Sequence, residues 1–259
     1  MVLRPRTMST KVESDPTISR AFDRESWGYE ARWECSPLVQ FWRARVLGRV
    51  LAAVPPGGRI ADLGGGTGAD AVVLAAAGRS VRVADVSPGM VRVARSRGVD
   101  AVVADLADAP AVLGGGHDAV LANFGVLNCL PSLDGLGERV SGLVAPGGHV
   151  VLVWMSRHCP VDTLACLVRG RRPRRGRPSA EVGGLTVPLR WWSVAEVRAA
   201  LPQGAEVLAV EAIGLFDPAP DLGGRLGRRS VWERRVATLP GLRALGDHTL
   251  LHARLPGRA

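Results

Sequence analysis

Apolar residues fall into two recurring patterns along this chain: short unbroken runs, and stretches where they return every third or fourth position. The first clear run, Ile60-Ala61-Asp62-Leu63, breaks into Gly64-Gly65-Gly66-Thr67-Gly68 and resumes as a helical stretch that Gly78 closes. The order then repeats. A strand over 81–86 leads to a helix capped by Ser87-Pro88, with Met90, Val91 and Ala94 at helical spacing as far as Gly98. Strands follow over 100–106 and from His117, the latter running into an Asn-bearing turn, Asn123 to Asn128. Another helix end, the turn Pro146-Gly147-Gly148 and an apolar strand to Trp154 complete this series. Near-continuous apolar strands alternating with helices predict an α/β fold on a parallel sheet.

The flanks read differently. Residues 1–16 are polar, charged and without period, and are expected to be a disordered tail before one domain over 17–259. An amphipathic stretch over 19–33, broken by Gly28, predicts two short helical pieces. Ser36-Pro37 caps a helix with Leu38, Trp42, Val46 and Val50 on one face, so 17–54 is expected to form a helical N-terminal lid. After the fifth strand come a helix over 161–168, an arginine-rich stretch and a strand-like 185–192. Ser193-x-x-Glu196 is a capping box, and strands over 207–215 and 249–255 close the chain. The segments 157–192 and 217–246 exceed what connections require and are expected to be substrate covers.

With 259 residues and 47% hydrophobic content the chain can bury a large core. No run approaches the roughly 20 apolar residues of a membrane span, and the first residues are charged where a signal peptide is apolar, so a cytoplasmic protein with no membrane partner is expected. Cys35, Cys129, Cys159 and Cys166 lack metal-ligand spacing, which predicts reduced thiols and no metal. The net charge of +9 suggests nucleic acid until its distribution is considered. Six arginines lie within 169–177, leaving only +3 elsewhere. One arginine-rich stretch reads as a solvated connector, whereas a nucleic-acid surface draws on several elements.

The glycine turn carries the candidate chemistry. Glycines can take φ > 0 and bring backbone N–H groups close to a ligand at a helix N-terminus. Asp85, at the end of the second strand and 21 residues beyond Gly64, stands where a carboxylate accepts from both ribose hydroxyls of a nucleoside. By the switch-point rule, Asn123 to Gly125 face the ligand crevice and Asn128 lies nearer a substrate. Gly64-x-Gly66-x-x-Ala69 also satisfies a dinucleotide fingerprint, so these residues admit either S-adenosylmethionine (SAM) or NAD.

Asp62-x-Gly64-x-Gly66-x-Gly68, the Asp85 position and Pro146-Gly147-Gly148 together resemble the class I SAM-dependent methyltransferases over residues 20–156. The resemblance implies a Rossmann-like, doubly wound, seven-stranded and mostly parallel sheet with an antiparallel last strand. It implies that Asp62 accepts from the cofactor's ammonium, that Gly64, Gly66 and Gly68 permit close backbone approach, and that Val86 and Met90 line the adenine. Asp105 with Leu106 would read the adenine edge, and Tyr29-Glu30 matches a lid pair near cofactor or substrate. A fold that binds SAM without transfer, in a cyclase or binding role, an NAD-linked oxidoreductase, or a protein or RNA methyltransferase are the alternatives.

The substrate is narrowed by what the chain lacks. Asn123-Phe124-Gly125-Val126 is not the Asn/Asp-Pro-Pro-aromatic motif of base-amine methylation, and no Pro-Cys motif points to cytosine. Two apolar covers with Trp27, Trp191 and Trp192 suit a small molecule, with a specialised metabolite expected from family habit. His158, just beyond the fifth strand, is the candidate general base, and His248 reads as structural.

Overall fold

The computed structural model describes residues 15–29, 33 and 35–257. Its elements are α1 (Pro16–Glu25), α2 (Pro37–Ala53), β1 (Arg59–Leu63), α3 (Ala69–Ala76), β2 (Ser80–Asp85), α4 (Pro88–Ser96), β3 (Asp100–Val103), α5 (Ala109–Leu113), β4 (His117–Ala122), α6 (Leu136–Leu143), β5 (Val144–Met155), α7 (Pro160–Val168), β6 (Ser179–Val182), β7 (Leu185–Pro188), α8 (Val194–Ala199), β8 (Glu206–Ile213), α9 (Arg228–Glu233) and β9 (His248–Arg254).

Seven strands form one sheet in the order β3-β2-β1-β4-β5-β9-β8. The pairs from β3 to β5 are parallel, and β9 runs antiparallel to both β5 and β8, which is the expected doubly wound architecture. Alternate strand residues feed opposite layers. Ile60, Leu121, Val151 and Val153 pack with α2, α3 and α4, while Ala61, Val120, Val150 and Leu152 pack with α5, α6 and α8. Burial on both faces is why these strands read as apolar runs. Order reverses between β1 and β4, and a crevice opens at the carboxyl ends beside that switch point.

The Pro146-Gly147-Gly148 turn is a bulge inside β5, where the register to β4 slips between His117 and Ala119. Gly147 has φ +77°, and a Cβ on Gly148 would lie 2.6 Å from Val144 Cγ1 and 2.9 Å from the Asp118 carbonyl. The third strand ends at Val103, short of the expected 106, because the Asp105 carboxylate accepts the Ala107 N–H (2.9 Å) and turns the chain.

Most of the expected tail, 1–14, lies outside the described residues. Asp15 and Pro16 depart from that expectation: the Asp15 side chain accepts the Thr17 N–H and Pro16 opens α1. Helix α1 docks across α4, where Asp23 accepts the Gly89 N–H at the positive end of that helix and Ser19 donates to the Val86 carbonyl (2.8 Å). Against its other side lies a hairpin, β6–β7, with Ile18, Ala21 and Val187 in a shared small core. Gly183 and Gly184 both have positive φ, as a two-residue hairpin turn demands, and a Cβ on Gly183 would sit 2.4 Å from the Ala21 carbonyl.

Candidate active site

A cavity of about 670 Å³ opens at the carboxyl edge of the sheet, beneath α1, the hairpin and the segment after β8. Its floor is the loop between β1 and α3. Gly64 (φ +64°) donates to the Ala84 carbonyl, and a Cβ there would strike Val126 Cγ2 at 2.5 Å. Gly66 (φ +55°) is open toward the cavity: an added Cβ would meet nothing nearer than Met90 Sδ at 3.9 Å. The space above Gly66 is therefore available to a ligand.

Asp85 braces this floor. One carboxylate oxygen accepts the Gly66 N–H (2.9 Å) and the other the Ser87 N–H (2.8 Å), each leaving acceptor capacity on the cavity side. Burial raises its pKa, and the Ser87 and Gly66 hydrogen bonds act in the opposite direction. Val86, Met90, Ala104 and Leu106 extend an apolar wall from it. Beneath the loop, Asp62 is fully buried and both its oxygens lack partners among the described residues. Burial first, then the neighbouring Asp70 charge, push its pKa well above the usual carboxylate range, with Arg43 opposing.

A polar cluster that sequence reasoning did not assemble stands opposite. Arg43, from α2, donates to Asp70 Oδ1 through Nε (2.8 Å), and Asn123 Nδ2 donates to Asp70 Oδ2 (2.7 Å). Asn123 Oδ1 is buried without a partner among the described residues. Further along, Phe124 (φ +49°) stacks edge-on to His248 at 4.9 Å, and Trp42 lies edge-on to the same ring at 6.2 Å. His248 Nδ1 is 2.8 Å from Asp247 Oδ2. Burial works against ionising Asp247, yet Arg175 above all, then His248, hold its carboxyl well below the usual range.

The arginine-rich stretch departs most from expectation. Arg175 is buried: it bonds Asp247 and Asp162, donates to the Ser156 and Asp247 carbonyls, and lies 5.5 Å over the Trp191 ring. Arg174 bridges Asp162 (3.0 Å) and Asp221 (2.7 Å). These two arginines and Arg177 form cavity wall instead of a solvated connector. The cluster Cys159, Asp162 and Asp247 has cation-ligand spacing, but the Arg175 guanidinium already neutralises its acids and burial pushes the Cys159 thiol up to about 12.

Other expected site residues are redistributed. His158 is exposed on the outer surface beside Pro160 and Leu164, outside the cavity, while His248 lines it. Asn128 is fully buried in a structural role: its side chain donates to the Met155 and Arg190 carbonyls and accepts the Met155 N–H. Trp192 packs into the core under α8 and donates to the Leu127 carbonyl (2.7 Å), and Trp27 is exposed. Gly68 faces Ala94 and Val99, each 3.0 Å from an added Cβ, so it serves helix packing and not the cavity. Asp105 holds its turn, and only its neighbours Ala104 and Leu106 reach the cavity. Tyr29 and Trp191 do line it, whereas Glu30 lies outside the described residues. Cys129 also lines the cavity, but burial, then the Asp85 charge, raise its pKa to about 12 and keep it a thiol.

Comparison with known proteins agrees with this geometry. The family model described as a methyltransferase domain matches residues 60–148. A demethylmenaquinone methyltransferase of Mycolicibacterium vanbaalenii is 30% identical over 210 residues, covering 80% of this chain and 90% of that one. The chain belongs to the class I SAM-dependent methyltransferases. Among solved structures, this methyltransferase is similar to magnesium protoporphyrin IX methyltransferase from Synechocystis, solved with bound S-adenosylhomocysteine (TM-score 0.58, 16% identity, 92% of this chain and 97% of that one). It is also similar to the N-methyltransferase NodS of Bradyrhizobium japonicum (TM-score 0.57, 17% identity, 93% and 100%). At these identities both likenesses concern the fold.

Proposed function

We propose that this methyltransferase uses SAM to methylate an O, N or C nucleophile of a largely apolar small molecule, a specialised metabolite, with His248 as the proton acceptor. The observation that carries the reading is the continuity of one cavity from the Gly64–Thr67 loop to His248. The loop end fits SAM by three features: open space over Gly66, acceptor capacity on Asp85, and an Asn123 Oδ1 with no partner among the described residues. SAM supplies a sulfonium-activated methyl group.

In this reading Asp85 accepts from the ribose hydroxyls, Val86, Met90 and Leu106 enclose the adenine, and Asp62, directly or through water, accepts from the ammonium. The protein's main task is alignment of the nucleophile. Trp42, Phe124 and Trp191 confine a planar apolar acceptor, and Tyr29 closes the lid side. His248 takes the acceptor's proton on Nε2, since Asp247 stands against Nδ1 and stabilises the imidazolium that forms. The 30% identity to a demethylmenaquinone methyltransferase favours, as a second reading, a quinone-type ring as acceptor.

Calorimetric titration with SAM and NADH, followed by mass spectrometry of candidate acceptors, tests the proposal. Binding of SAM alone and gain of one methyl mass are expected. SAM binding with no methyl gained by any phenolic, quinol or amine candidate would leave a binder; NADH binding would remove the reading.

A further inference from the structure

The two cover segments hold more than a cavity roof. Residues 157–192 and 217–246 carry fourteen arginines against five acids, so the chain's entire formal excess of +9 resides there and the rest of the sequence balances. Three of the five acids, Asp162, Asp217 and Glu233, are buried, Asp221 is engaged by Arg174, and Glu181 lies in the hairpin, accepting from Thr186. What faces outward is almost purely cationic.

The helices of these segments are inverted. In α7, Asp162, Ala165 and Cys166 point inward, whereas Leu164, Leu167 and Val168, neighbours on one face, are 61%, 59% and 76% exposed. Arg157, Arg169, Arg171 and Arg172 stand exposed around them. Helix α9 repeats the arrangement: Ser230 and Glu233 are buried, Val231 and Trp232 are 58% and 60% exposed, and Arg228, Arg229, Arg234 and Arg235 surround them. A short helix that hides its carboxylate and displays its leucines gains nothing from water.

Both helices sit beyond the carboxyl edge of the sheet. Helix α7 leaves the end of β5, and Glu233 accepts the N–H groups of Gly214 and Leu215 just beyond β8. The segments are bonded to each other: Asp162 accepts the Ala219 N–H (3.0 Å), and Gly223 packs against the Arg169 guanidinium.

We propose that this face docks on an anionic phospholipid bilayer surface. Leu164, Leu167, Val168 and Trp232 enter the headgroup boundary and the arginines meet lipid phosphates. Exposed apolar side chains interleaved with single-sign charge favour a lipid interface, because a nucleic-acid backbone offers those leucines nothing. The absence of a membrane-crossing helix among the described residues is consistent with surface attachment. The proposal holds whatever the methyl acceptor is.

Co-sedimentation with vesicles of phosphatidylcholine, with and without phosphatidylglycerol, tests it. The protein is expected to pellet with the anionic vesicles alone and to be released by high salt. The double variant Leu164→Asp/Leu167→Asp should lose at least tenfold in partitioning with an unchanged melting temperature, and Arg171→Ser and Arg172→Ser should each lose about fivefold. No binding to anionic vesicles, or binding indifferent to these substitutions, would overturn the proposal. So would the same variants abolishing self-association or RNA binding in a protein that ignores vesicles.

Discussion

Asp85 does two things with one carboxylate. It pins Gly66 and Ser87 through their N–H groups and keeps acceptor capacity toward the cavity. Asp85→Ala is therefore expected to weaken SAM binding by about 1–3 kcal/mol through loss of a charged acceptor, as calorimetry would read; unchanged affinity would remove the ribose assignment. His248 is the other residue whose surroundings define its role, held between Phe124, Trp42 and Asp247. His248→Gln should lower kcat by about 10²–10⁴-fold with SAM affinity unchanged, while His158→Gln leaves both unchanged. A kcat that His248→Gln leaves unchanged would assign the proton elsewhere.

At the scale of elements, the covers are fastened by buried charge. Glu233 of α9 pairs with Arg45 of α2 and accepts the Gly214 and Leu215 N–H groups. Burial raises its pKa, against the pull of Arg45 and those bonds. Glu233→Ala leaves the Gly214 and Leu215 N–H groups without their acceptor, while Arg45 keeps Glu211 and the Ala212 carbonyl, so thermal unfolding should register a loss of about 1–3 kcal/mol for each stranded donor. Helix α8 offers a gentler test. Its capping box is present as the spacing Ser193-x-x-Glu196 requires, and Ser193→Ala should cost about 1 kcal/mol. A much larger loss would mean that α8 does more than cover one face of the sheet.

Across the whole molecule, β5 and β9 are joined by a histidine pair, His149 Nδ1 and His252 Nε2 at 3.0 Å. Burial, then the His149 and Arg49 charges, lower the His252 pKa to about 4, and burial followed by Arg254 lowers that of His149. Both rings are thus held neutral in the fold while the unfolded chain protonates near 6.5. Between pH 6.5 and about 4 the unfolded state binds more protons, so this pair's contribution shrinks as pH falls. Melting curves of His252→Gln across that range should converge with, or pass above, those of the parent protein at the acid end; a constant gap would exclude the pair as the cause.

The sequence by itself determined the sheet and the cofactor-facing loop, because both are local. Strands buried on two faces must be apolar runs, and the turn from β1 into α3 needs glycine wherever φ is positive or a Cβ would collide. The hairpin β6–β7 was legible too, in Gly183-Gly184, but the arginines before it drew the reading toward a solvated connector. Tertiary structure decided the acceptor end of the cavity. Its residues come from α2, the turn after β4, the 169–177 stretch and the start of β9, and no spacing in one chain announces that Arg175 will meet Asp162 and Asp247. For the same reason His248 lines the cavity and His158 does not: a histidine at either end of a strand can point into the crevice or away from it, and only the packing of the covers chooses.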